Sequence, residues 1–236
     1  MSHPRLAAFL IDASRHDLYH GIHKALRFGH CRMLAELGAL DFTNAPVTQA
    51  LLQKLRDLIG LCREHLDGEN REVHKALEAR KPGITAYVAQ EHTSHVRALA
   101  ELESLIRAID VATPARRPLA GQALYQRYAL FAAADMEHMY VEETEVLNAL
   151  HAAFTDAELI AIEAHILPAN APEKLKACTA LMMPALNHAE RVEMLKKLKR
   201  DLPKTAFNRL LTGTVKPVLA AADYAAAMGA LTPRAA

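Results

Sequence analysis

The chain has 236 residues, a formal net charge of +1 and 51 % hydrophobic residues, with little Gly and no Trp. So balanced a charge sets up no field that would gather nucleic acid or an anionic membrane surface, and no apolar run approaches membrane-spanning length. Three cysteines without a CxxC pair do not form a disulfide framework, and Leu6–Ile11 is too short for a signal-peptide core, so a cytoplasmic protein is expected.

Abundant Ala and Leu favour helices, and the breakers divide the chain into helical segments in order. The first is predicted from Asp12 to Leu40, ending at Asp41-Phe-Thr-Asn-Ala-Pro46. The second runs from Thr48 to Ala79 and stops at Lys81-Pro-Gly83; the third runs from Thr85 to Asp110. The fourth spans Leu119 to Ala152. Short connections make successive helices antiparallel neighbours, which predicts an all-α, up-down-up-down four-helix bundle over residues 1–153. Residues 154–236 read as a C-terminal helical extension. There Thr155-Asp-Ala-Glu158 opens a helix ending near Pro168, Asn187-His-Ala-Glu190 opens another, and Thr205 caps a last one. The basic run Lys196–Arg200 fits a solvated helix end.

Thirteen histidines are what composition leaves unexplained. Each long helix interrupts its own apolar seam with imidazole or carboxylate. On the first, Leu26, Met33 and Leu37 share a line with His16, His23 and His30. On the second, the stripe Leu51, Leu55, Leu58, Cys62, Val73, Leu77 passes through His65 and Glu69. On the third, Val88, Leu99, Leu102 and Ile106 include His92 and His95. On the fourth, Leu124, Tyr128, Phe131, Val146 and Leu150 include Asp135, His138 and Glu142.

Counting along the helices from each connection, these sets fall within about one turn of a common level. Unpaired buried polar groups cost roughly 1–3 kcal/mol each, a cost that shrinks when they share a cation. The i,i+4 pairs His65/Glu69 and His138/Glu142 each aim one imidazole and one carboxylate at the same point. So nitrogen-rich a set argues against magnesium or calcium and suits a transition metal. His16, His20, His30 and His74 read as hydrogen-bonded core residues or as supports for ligands, and His3, His151, His165 and His188 as surface or capping residues. Glu64 and Glu143 read as solvent-facing neighbours of the site, and Cys62 as a small buried hydrophobe.

As a set these motifs resemble the hemerythrin-like (HHE cation-binding) family, whose pattern is His, HxxxE, His, then HxxxE across four helices. The resemblance covers residues 12–152: His23 in Ile-His-Lys-Ala-Leu-Arg, His65-Leu-Asp-Gly-Glu69, His92 in Glu-His-Thr-Ser-His, and His138-Met-Tyr-Val-Glu142. His20 lies one turn before His23, and both His92 and His95 lie on the stripe, so either or both of the latter pair can bind. The resemblance implies two non-haem irons bridged by Glu69 and Glu142 with the histidines as terminal ligands. It further implies a small diatomic or peroxide ligand (O2, NO or peroxide), bound or sensed, or a link to iron handling. Oxygen-carrying members have HxxxH on the third helix and HxxxxD on the fourth, whereas this chain has HxxH and HxxxE, which argues against reversible oxygen carriage. The rival reading is a structural or single-metal bundle, zinc for example. In it residues 154–236 take a protein partner or a second copy.

Overall fold

The computed structural model describes residues 12, 14–166 and 172–231; His3, the segment 6–11 and Pro168 lie outside the described residues. Among the described residues every regular element is helical. The first elements are α1 (His20–Gly38) and α2 (Ala45–Gly68), followed without a break by the π-helical segment π1 (Glu69–His74) and α3 (Lys75–Arg80). Then come α4 (Ala86–Val111), α5 (Arg117–Val141), the π segment π2 (Glu142–Val146), α6 (Leu147–Ala153) and α7 (Asp156–Ile166). Last are α8 (Pro172–Ala185), α9 (His188–Asp201), α10 (Lys204–Leu210), π3 (Leu211–Val215), α11 (Lys216–Val218) and α12 (Ala221–Leu231). None of these helices is long and apolar enough to cross a membrane.

Local chemistry moves several boundaries. The first helix starts at His20 rather than Asp12, because two aspartates turn the backbone ahead of it. Asp12 Oδ1 accepts from the Ser14 amide and hydroxyl, and Asp17 Oδ1 accepts from the amides of Tyr19 and His20. Such side-chain bonds compete with the helical ladder. The second helix starts before Thr48, because Asn44 caps the Val47 amide and Pro46 fits the first turn. Between α3 and α4, Gly83 takes φ of 85°, and the Glu78 carboxylate accepts from the amides of Gly83 and Thr85 and from the Thr85 hydroxyl at 2.6–2.8 Å. That clasp fixes the turn and sends α4 back along the preceding helix.

The chain divides into two compact units. The first holds the described residues up to His20 and those from His30 to Ile166. In it α4 packs on α5 and on α2, α3 packs on α6, and α7 packs on π1. One apolar cluster joins Tyr19, Val73, Leu77, Val88, Leu147, Leu150, Phe154 and Leu159. Leu55, Leu58, Leu99, Leu102, Ile106, Leu124 and Phe131 are also buried. Burying each such side chain is worth about 1.5–3 kcal/mol.

The second unit comprises residues 21–29 of α1 and the described residues from Pro172 onward. Its core gathers Met183, Leu195, Phe207, Leu210, Val215, Leu219 and Ala227. Asn187 and Glu190 form the expected capping box, and Glu190 also receives Lys24 Nζ at 2.6 Å. Thr205 lies inside α10, whose N-cap is Pro203, so the cap expected of Thr205 is not formed. The helices α8 and α12 were not foreseen from the sequence. α8 opens on Pro172, a residue suited to a first helical position, and α12 is an Ala-rich stretch.

Candidate metal centre

Seven side chains on α2, π1, α4, α5 and π2 define a buried polar level in the first unit. Glu69, His74, His92, His95, His138 and Glu142 are each at most 5 % exposed, and the His65 side chain is 10 % exposed. Ionisable groups so deeply buried persist only when paired or bound to a cation.

Within the level, ligand-type atoms crowd together. His65 Nε2 lies 3.1 Å from Glu69 Oε1. His92 Nε2 lies 3.6 Å from Glu69 Oε2 and 3.5 Å from Glu142 Oε1. His138 Nε2 lies 3.4 Å from Glu142 Oε1 and 2.8 Å from His92 Nε2. Two nitrogen or oxygen donors at right angles on one ion, each at about 2.1 Å, are about 3 Å apart, which is the spacing seen here.

The outer ring nitrogens decide the tautomers. His92 Nδ1 is 2.9 Å from Asn70 Oδ1, and His138 Nδ1 is 2.9 Å from Glu91 Oε2. Both oxygens only accept, so each Nδ1 carries the proton and donates. Each neutral ring then presents a bare Nε2, and the two bare nitrogens face one another. A cation between them relieves that opposition, and without one a second proton must enter. Burial pulls the His138 pKa down, but hydrogen bonds to Glu142 and Glu91 and the Glu69 charge outweigh it and carry the ring up to about 10. Burial likewise opposes the Glu91 carboxylate, yet its hydrogen bonds with His138 and Tyr87 hold its pKa below the usual range.

Within the first unit one donor set could hold a metal ion: Glu69, His92, His138 and Glu142, whose ligand atoms all lie within 4.8 Å of one another. His65 stands against the same Glu69 carboxylate. Of the alternatives on α1, His23 is fully buried and His20 is exposed. On α4, His92 joins the carboxylates, while His95 turns its Nδ1 toward Asp135 Oδ1 at 3.5 Å and is not part of that set. Glu64 is exposed and Glu143 partly so. His16 is half-buried against Glu163 at 3.1 Å, His151 reaches the His16 carbonyl, and His165 and His188 are exposed.

Two further residues belong to the level: His74, read from the sequence as a hydrogen-bonded core residue or a support for ligands, and Tyr19, which the sequence reading did not name. His74 stacks on His92 with ring centroids 4.8 Å apart, and its Nε2 lies 3.9 Å from Glu142 Oε1. Neither of its nitrogens has a hydrogen-bond partner, and burial lowers its pKa. Its place beside the carboxylates is set by π1. An i→i+5 turn brings His74 above Glu69, whereas an unbroken α-helix would carry it off that line. Tyr19 is fully buried, and its phenol is pushed well up by burial and by the charges of Glu142 and Glu69.

Comparison with family models, with curated proteins and with solved structures finds no match to this chain.

Proposed function

We propose that this chain is a metal-binding protein of the hemerythrin-like kind, an up-down-up-down bundle of its four long helical segments around two non-haem irons. The observation that carries the reading is a pair of buried carboxylates with imidazoles against both: His65 and His92 at Glu69, His92 and His138 at Glu142. Carboxylates so placed can bridge a pair of ions. His65 would serve one ion, His92 and His138 the other, with His74 in reach of a further position. Bound iron supplies redox chemistry and, at an open position, a place for O2, NO or peroxide.

The chain's own residues do the rest. Asn70 and Glu91 hold His92 and His138 with Nε2 turned inward, as outer partners of ligand histidines do. The apolar cluster of Val73, Leu77, Leu147 and Leu150 keeps the level dry, which strengthens charge interactions there. Anaerobic reconstitution with ferrous iron, metal analysis and optical spectra before and after air test the reading. About two irons per chain and a spectrum that changes with air are expected. Fewer than one bound ion per chain, or a spectrum indifferent to air, overturns it.

A further inference from the structure

One helical turn from the proposed iron ligands lies a separate polar cluster that they do not use. His30 Nε2 is 2.9 Å from Asp135 Oδ2, and Cys62 Sγ is 3.9 Å from His30 Nε2. The donor atoms of His30, Cys62 and Asp135 all lie within 4.8 Å of one another, and all three residues are at most 4 % exposed. His95 faces the same carboxylate, its Nδ1 3.5 Å from Asp135 Oδ1, and this buried nitrogen makes no hydrogen bond. The residues come from α1, α2, α4 and α5 within the first unit.

We infer that His30, Cys62 and Asp135, with His95 beside the carboxylate, form a second, mononuclear site for a divalent ion of borderline softness, zinc by preference, independent of the carboxylate-bridged centre. Three features point to it. The donors are one imidazole, one thiolate and one carboxylate, a three-ligand set that suits zinc with a fourth position open and is unlike the all-oxygen sets of magnesium and calcium. Tetrahedral donors around zinc are roughly 3.3–3.6 Å apart, and the observed spacings of 2.9 and 3.9 Å bracket that range. Tyr128 stands 2.9 Å from His30 Nδ1, so its hydroxyl oxygen can accept that proton and leave Nε2 bare. On binding, Cys62 gives up its thiol proton to solvent and the ion takes the sulfur lone pair. The Asp135 charge, held in place by the two imidazoles, then has a cation to neutralise it.

Cobalt(II) reports the thiolate bond directly. The full-length protein, stripped of metal and titrated with cobalt(II) alone, should develop a sulfur-to-cobalt charge-transfer absorption in the near ultraviolet that saturates at about one equivalent. The band should persist in Cys31→Ser, which removes the exposed thiol, and in Glu142→Gln, which disables the bridged centre. It should vanish in Cys62→Ala. Should Cys62→Ala fail to fold, the Cys31→Ser/Cys178→Ala protein keeps Cys62 as its one thiol and must still show the band. No band in the wild type or in that protein, a band that survives Cys62→Ala, or its loss in Glu142→Gln overturns the inference. Loss of iron binding in Glu142→Gln with the cobalt band intact separates this site from the bridged one.

Discussion

The imidazoles of His92 and His138 meet nitrogen to nitrogen at 2.8 Å, each anchored from behind by an acceptor. In the metal-free protein His138, with its pKa up to about 10, keeps the extra proton that this contact demands at neutral pH. A metal ion must expel it. The metal-free form therefore binds more protons than the loaded one, and affinity rises with pH until it passes about 10. Calorimetric titration at pH 7 in buffers of different ionisation enthalpy should show proton release accompanying metal uptake. Uptake without proton release would remove this account of the contact.

Loaded protein should outlast stripped protein on heating. An ion that binds the folded chain alone stabilises it by about 2.7 kcal/mol at a free concentration 100 times its Kd. Scanning calorimetry with and without a chelator should show a transition lowered by several degrees on stripping. Equal transitions would mean that the polar level is satisfied without metal.

His74 separates ligand from filler. Its two ring nitrogens make no hydrogen bond in the buried level, so an apolar residue of similar size costs the metal-free fold little. We expect His74→Leu to leave the stripped protein's Tm unchanged or higher and to weaken metal binding roughly 10–100-fold. Unchanged affinity on direct metal titration would assign His74 to packing alone.

Two helical glycines should respond in opposite directions. A Cβ on Gly121 would fall 2.3 Å from Phe42 Cδ2 and nearly as close to two other ring atoms, while one on Gly60 meets nothing within 4 Å. Gly60→Ala should therefore stabilise by about 1 kcal/mol through helix propensity. The same gain at Gly121 is outweighed by overpacking against a buried ring, so Gly121→Ala should lose about 1–3 kcal/mol. Urea denaturation of the two variants against wild type measures both signs.

Much of this was legible in the sequence because burial writes itself into helical period. The line through Leu58, Cys62, His65 and Glu69 and the one through Phe131, Asp135, His138 and Glu142 are inward-facing as read. Beyond each glutamate the apolar reading still holds, with Val73, Leu77, Val146 and Leu150 buried, but a π turn leaves no mark in a pattern of apolar spacing, so the approach of His74 to Glu142 could not be read from it. Asp17 hid the start of α1 for a different reason: an aspartate just inside an apolar period reads as a first-turn charge and here caps the turn instead. In the second unit, α8 offers a short pattern around Pro172 and Pro184, too broken for periodicity to register.

Gly68 is the residue just before π1, and a Cβ there would come within 2.8 Å of Ile166 on α7. Ile166 of the last helix of this unit thus packs directly on the backbone that introduces Glu69. Larger side chains at 68 would push α7 outward and admit water beside the carboxylate, so a single missing methyl group sets how dry the charged floor stays. Access to that floor is governed from its outer wall as well as from its ligands.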